Sequence, residues 1–302
     1  MTLTVILPTH NPDAGRLRRT LRALRAQSLP TEQWELLIVD NASRPALSLP
    51  DFADIAPANT RLITEPQPGL THARRRGFAA AGGELIVLVD DDNVLAPDYL
   101  AQVAALFAAH PAVGALGGRS APEFEQVPAS WWQSEFNGLI ACRDLGPAPL
   151  LATGRHEYPA CAPIGAGMAL RRAAAQTWLA DPTAGSLPDR RGGELTSGGD
   201  NDIILTVLAA GWAVAYFPNL ALTHLIPAGR MQPGYLGRLN RGIAKSWMQV
   251  LHKHGVNPWP PVAAWTVPLR VLKAWFAYRA WSGPAAGIRW QGARGHFEGR
   301  VT

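Results

Sequence analysis

The sequence predicts an α/β fold: one domain built on a mostly parallel central sheet flanked by helices, followed by a basic, Trp-rich helical extension. Three observations carry this. Short apolar runs alternate with stretches of helical periodicity from Leu3 to Gly118. Two of those runs end on acids, "WELLIVD" on Asp40 and "LIVLVDDD" on Asp90 to Asp92, and the carboxyl ends of parallel strands are where α/β sheets bind ligands. The charge also changes sign along the chain. The 302 residues carry a net +5, but from Ala228 onward 11 Lys/Arg accompany one acid, Glu298, which makes that part about +10 and residues 1–227 about −5. At 47% hydrophobic residues the chain is large enough to bury a sizeable core, and residues 1–227 and 228–302 are expected to form two regions.

The elements follow in order. "LTVILPT" (Leu3 to Thr9) reads as a strand and Thr9 to Pro12 as a turn. "AGRLRRTLRALRAQS" places Leu17, Leu21 and Leu24 on one helical face. "WELLIVDNAS" is a second buried strand, and Arg61 to Thr64 a short third. "GLTHARRRGFAAAGG" is a helix closed by glycines. After "LIVLV", the segment "APDYLAQVAALFAAH" is a helix with Pro97 near its first turn, and "VGALGG" another strand. Glu123 to His156, rich in Pro, Trp and Gly, has no assignable pattern. "IGAGMALRR" reads as a strand entering a helix, and "DPTAGSLPDRRGGELTSGG" as a loop long enough to serve as a lid. "DNDIILTVLAAG" is a helix starting on acids and "WAVAYF" a strand.

Some classes are set aside. Ile203 to Gly229 contains no Asp, Glu, Lys or Arg and is long enough to cross a bilayer, but Gly211, the Phe217 to Asn219 "FPN" and Pro227 break it. A helix followed by one or two strands is expected instead. Cys142 and Cys161 have neither a disulfide framework nor metal-ligand spacing and read as reduced thiols of a cytoplasmic protein. The N-terminus lacks the basic start and apolar run of a signal peptide.

Clustered carboxylates on a loop repel one another unless a cation joins them. A hard divalent ion with oxygen ligands, Mg²⁺ or Mn²⁺, suits Asp90 to Asp92, usually with substrate phosphates completing the shell. A calcium loop would need further spaced ligands that are absent, though a solvated loop remains open. No P-loop Gly-Lys motif is present, and no G-x-G-x-x-G follows the first strand, which argues against an ATPase and a dinucleotide enzyme. Other acids have plainer readings. Asp200 or Asp202 suits a helix N-cap, Asp202 the better of the two, and Asp40 suits an Asx-turn with Ser43. His224 reads first as a core histidine, and Arg190 and Arg191 equally as an exposed loop.

Taken in order, "VILPTHN", "LLIVDNAS", "PGLTHARRRGFAAA", "VDDDN", "GAGMALRR" and "SGGDNDIIL" resemble a family 2 glycosyltransferase, inverting and of the GT-A fold, over Leu3 to Pro227. The resemblance implies a Rossmann-type catalytic domain with a nucleotide-sugar half at 1–119 and an acceptor-side half at 120–227. It implies that Pro8, Thr9 and Asn11 border the nucleotide, that Asp40 meets the nucleobase, typically uracil, and that Arg74 lies near the base. Arg74 sits in Ala73-Arg74-Arg75, where the family has Asn in the third place. Asp90 would face the ribose, Asp92 the metal, and Asp91 would be the variable middle residue of the nucleotide-binding loop. Asp200 would be the general base, with Gly199 standing where the family usually has Glu. His224 would be a further metal or phosphate ligand, and Arg190, Arg191 and Gly167 phosphate or acceptor contacts. The implied cofactor is Mn²⁺ or Mg²⁺, the donor a UDP-linked sugar, and the acceptor a glycan or a lipid-linked acceptor. Two other classes stay open: a non-catalytic nucleotide- or glycan-binding module on this fold, and a sugar-1-phosphate nucleotidyltransferase, which would want a Gly-rich, Arg-containing turn where "PTHNPD" stands.

The extension holds six of the eleven tryptophans. "GYLGRLNRGIAKSWMQVLHKHG" aligns Leu236, Leu239, Ile243 and Trp247. "PLRVLKAWFAYRAW" aligns Leu269, Leu272, Trp275 and Phe276, with Arg279 intruding. Basic residues beside Trp and Leu suit a helix lying on the anionic inner face of a membrane, or helices packed on the core. Nucleic acid is not expected.

Overall fold

The computed structural model describes residues 2–155, 157–187 and 195–301. Strands β1 (Leu3–Thr9) and β2 (Trp34–Asp40) are buried along their whole length, as apolar runs without alternation require when both faces of a sheet are covered. They pair in parallel from Leu3↔Trp34 to Thr9↔Asp40. β3 (Thr60–Thr64) and β4 (Leu85–Leu88) extend this set on its two sides, also in parallel. Helix α1 (Ala14–Arg25) starts on Asp13, whose carboxylate accepts the Arg16 N–H at 2.9 Å, and buries Leu17, Leu21 and Leu24. With α3 (Tyr99–Ala109) it covers the face carrying Leu3, Val5 and Leu7. Helices α2 (Leu70–Ala80), α4 (Arg172–Ala180) and α5 (Gly199–Ala209) cover the face carrying Ile6, Leu37 and Ile86.

The rest of the sheet is mixed. With β5 (Asn93–Leu95), β6 (Val113–Phe124), β7 (Leu150–Ala152), β8 (Ala169–Arg171) and β9 (Ala213–Ile226), the strand order is β3-β2-β1-β4-β8-β6-β9-β5, and β7 adds to β9. The long ladders, β1–β2 and β6–β9, are parallel, whereas β8, β5 and β7 join as short antiparallel strands. β9 runs through Phe217-Pro218-Asn219, where a break was expected. The ladder shifts register opposite, between Gly117 and Arg119, so the proline sits at an irregularity where no regular bond is lost. Gly118 is required there: a Cβ on it would lie 1.9 Å from the Leu220 carbonyl oxygen. No helix among the described residues is long and apolar enough to cross a membrane.

Within the unassigned middle, a 3-10 segment at Ser134–Ile140 buries Phe136 and Ile140. These two meet Ile226, Met231, and Leu236 and Leu239 of α6 (Pro233–Lys253), together with Ile288 of α8 (Pro284–Gly299), in a third apolar cluster. α6 and α8 cross at contact distance: a Cβ on Gly295 would lie 2.0 Å from the Arg241 carbonyl oxygen. Between them, α7 (Val267–Ala277) buries only Ala274.

Candidate active site

The carboxyl ends of β1, β2 and β4 open onto a cleft of about 260 Å³. Pro8, Thr9 and His10 line it from β1, Asn41 from β2, and Asp90, Asp91 and Asp92 from the loop after β4. The opposite wall holds Leu70, Ala73 and Arg74 of α2, Gly165 and Ala166, Ser197, Asp200 of α5, His224 of β9, and Arg230. The start of α2 at Gly69 and that of α5 at Gly198 carry no side-chain cap, so both helices turn uncapped N–H groups to this end of the sheet.

The acidic triplet is a tight turn. The Asn93 N–H bonds the Asp90 carbonyl at 3.1 Å, and the Asp90 N–H bonds Asn93 Oδ1 at 3.2 Å. Each acid then meets a different partner. Asp91 accepts a hydrogen bond from Thr9 Oγ1. Burial and the charge of Asp92 outweigh that bond and push the Asp91 carboxyl up to about 7. Asp92 is 4% exposed. His224 Nε2 lies 3.2 Å from its Oδ1, and Arg230 Nη1 donates to its Oδ2 at 3.0 Å. What joins residues so distant in sequence is β5, because Asn93 pairs with His224 in the antiparallel β5–β9 ladder. Burial alone would lower the His224 pKa, but the bond and charge of Asp92, with Cys142 Sγ at 3.8 Å from Nδ1, raise it to about 9. Arg230 was not singled out by the sequence, although it is the first cation after the charge-free stretch.

Asp200 stands on the first turn of α5, but not as its cap. Its Oδ2 accepts the Gly165 N–H at 2.9 Å. A Cβ on Gly165 would lie 2.6 Å from Arg74 Nη2 and 3.4 Å from Asp200 Oδ2, so guanidinium and carboxylate converge on this glycine. Asp202 does not cap either. Its carboxylate, 2% exposed, accepts from Trp178 Nε1 at 2.8 Å and Lys253 Nζ at 2.6 Å, and His254 Nε2 lies 2.8 Å away. It ties α4, α5 and the end of α6 together.

Three expected site residues fall outside the cleft lining. Asp40 accepts the Ser43 N–H at 3.1 Å and the Leu47 N–H at 3.0 Å, and so closes the loop after β2. Asn11, at φ 46°, accepts the Arg44 N–H at 2.7 Å and fixes the same loop from β1. Asn41 and His10 line the base of the cleft in their place. Asn41 bonds the Gln67 carbonyl at 2.7 Å and the Gly69 N–H at 2.7 Å, which joins β2 to the start of α2. Gly167, at φ 74°, is a packing position: a Cβ would meet Leu222 and the Tyr99 hydroxyl at 2.6 Å each. Arg190 and Arg191 lie outside the described residues.

A divalent ion fits Asp92 and His224 in part. Their 3.2 Å separation is near the roughly 2.9 Å edge between neighbouring ligands of an octahedral ion held at about 2.05 Å. His224 carries a proton at neutral pH in this arrangement and would have to give it up to ligate. Among the described residues no group of three or more His, Cys, Asp or Glu could hold a metal ion, so further ligands would come from a bound diphosphate and water.

Comparison with known proteins adds to this geometry. The model of Glycosyl transferase family 2 matches residues 4–176. The glucosyl-dolichyl phosphate glucuronosyltransferase of Haloferax volcanii is 23% identical over 161 residues, 52% of this chain and 50% of that protein. The chain spans half or less of the length of the first curated relatives it matches. S. aureus TarS residues 1–349, solved in complex with UDP, superposes with a TM-score of 0.51 at 15% identity, covering 98% of this chain and 89% of that one. GalNAc-T7, solved with UDP, GalNAc and Mn²⁺, superposes with a TM-score of 0.58 at 14% identity, covering 97% and 54%. At these identities the two structures speak for the fold, a GT-A-like arrangement with helices added at the C-terminus.

Proposed function

The chain belongs to glycosyl transferase family 2, and from that premise we propose that it transfers a sugar, with inversion, from a UDP-linked donor to a hydroxyl of a glycan or lipid-linked acceptor. The observation that carries the reading is the joint lining of one cleft by Asp90 to Asp92 on the sheet side and Asp200 on the helix side. A donor lying across the strand ends would present its anomeric carbon between the two groups.

Asp200 takes the proton of the acceptor hydroxyl as that oxygen attacks the anomeric carbon. The new glycosidic bond forms while the bond to the diphosphate breaks, and UDP departs. The Gly165 N–H holds the Asp200 carboxylate in place for this, and the Arg74 guanidinium lies beside that glycine. A divalent ion, Mn²⁺ or Mg²⁺, held by Asp92 and His224 when bound, supplies positive charge against the departing diphosphate. Arg230 and the uncapped starts of α2 and α5 add positive charge on the same side. Asp90 faces the ribose beside the Thr9–Asp91 bond, Asp40 and Asn11 brace the base end through the 43–47 loop, and Pro8 and Asn41 line it. Residues 1–227 are taken as the catalytic region and 228–302 as its appendage.

Sugar release from a panel of UDP-sugars with Mn²⁺ or Mg²⁺, wild type against Asp92→Ala, tests the reading. Turnover falling by at least about a hundredfold is expected from loss of the metal ligand. Unchanged turnover removes the metal claim. UDP binding with no transfer to any acceptor would instead assign the chain to a non-catalytic nucleotide-binding module.

A further inference from the structure

α7 packs the wrong way round for a helix of a water-soluble domain. On a helical wheel Leu269, Leu272 and Phe276 fall within about 60° of arc, and Ala274, the one buried residue, lies about 170° from the centre of that arc. The helix meets α8 through its small side, where Trp290 Nε1 donates to the Val271 carbonyl at 3.1 Å, and turns its bulky side out. Leu269 is 64% exposed, Leu272 53% and Phe276 58%, with Trp265 at 77% just before the helix and Trp281 at 54% just after it. Trp275, Phe276 and Trp281 form one aromatic group, with ring centroids 4.6–5.9 Å apart. Apolar surface gathered on one exposed face marks a binding surface.

The charges around it indicate what covers it. Arg270, Lys273 and Arg279 are exposed on α7 or at its end. No Asp or Glu occurs between Ala228 and Phe297. A second copy docking through the same face would set one region of about +10 against another, so self-association is disfavoured. An anionic bilayer offers both complements: acyl chains for Leu269, Leu272 and Phe276, an interface for the tryptophans, and phosphates for the basic residues.

We infer that α7, with Trp265 and Trp281, is a membrane-docking face that lays the protein on an anionic lipid bilayer. This deepens the proposal of a lipid-linked acceptor above but rests on α7 alone. The full chain is floated with vesicles of phosphatidylcholine and with vesicles containing phosphatidylglycerol. The expected result is binding to the anionic vesicles, weaker binding to the neutral ones, and weakening by salt. Leu272→Glu with Phe276→Glu is expected to cut vesicle binding at least about tenfold. Both side chains are exposed, so the thermal midpoint and its rise with UDP and Mn²⁺ should stay as in wild type. Equal vesicle binding by wild type and variant, or no binding by either, overturns the inference. So does a wild-type dimer in solution that the variant converts to monomer, which would give the face to a second copy. A wild type that floats but gains no stability from UDP would sink the donor reading and leave this one standing.

Discussion

Asp202→Asn should loosen the joint between the catalytic body and its C-terminal helices. The wild-type carboxylate is 2% exposed and takes bonds from Trp178 and Lys253 at 2.8 and 2.6 Å, with His254 Nε2 at 2.8 Å. An amide has one acceptor oxygen and no charge: with that oxygen at the Oδ1 position Trp178 loses its acceptor, at the Oδ2 position Lys253 and His254 lose theirs, and Lys253 loses its counter-charge either way. Breaking a buried ion pair costs about 3–5 kcal/mol. Lys253 keeps Asp181 at 3.3 Å and the Thr183 carbonyl at 3.2 Å, which sets the expectation at the lower end, about 3 kcal/mol. For a chain of this size that corresponds to a melting midpoint lower by about 6 °C, at about 2 °C per kcal/mol. Thermal and urea unfolding followed by circular dichroism read it, with Lys253→Met and the double variant completing a cycle. A midpoint drop below about 2 °C would show the node at Asp202 to be dispensable.

Further expectations follow from the same contacts. Burial pushes the Asp202 carboxyl up, but its bonds to His254, Lys253 and Trp178 outweigh this and hold it below its ordinary value. Its contribution to stability is therefore complete above about pH 4 and is lost as pH falls through the lowered folded value; Asp202→Asn should flatten that part of the acid-unfolding curve. Arg230→Gln removes the cation on Asp92 Oδ2. Without metal the protein should lose about 1–3 kcal/mol, bind Mn²⁺ more tightly by calorimetry, and bind UDP more weakly. Mn²⁺ affinity equal to or below wild type would contradict that view of Arg230. Gly165→Ala puts a methyl 2.6 Å from Arg74 Nη2. Because Nη2 ends a flexible side chain, a cost at the low end, about 1 kcal/mol, and a clear loss of transfer with folding kept are expected, and wild-type turnover would show that the guanidinium moves aside freely.

Much of the first part of the sheet was legible because burial on both faces leaves an unambiguous mark. "LTVILPT", "WELLIVD" and "LIVL" are continuous apolar runs, and they are β1, β2 and β4. The Asp90 to Asp92 loop followed from the third of them. Other features depend on contacts that no local pattern encodes. β5 has three residues and no periodicity, yet its register alone brings His224 beside Asp92. Arg230 reaches the same carboxylate from a 3-10 turn, and the Asp40 side chain is turned by backbone groups of a loop. Pro218 misled because a strand tolerates proline where its ladder is already irregular. α7 and α8 are both basic and Trp-bearing, and the glycines at the α6–α8 crossing, Gly292 and Gly295, decide which of them packs.

Asp200 is the proposed activator of the acceptor, in a cleft whose other wall is built by Asp90 to Asp92. Asp200→Asn, assayed with the UDP-sugar that most raises the wild-type midpoint in Mn²⁺, tests this most directly. An unchanged midpoint gain with that donor and transfer reduced by roughly 10²–10⁴ are expected. Transfer within tenfold of wild type, or binding and transfer lost together, would contradict it.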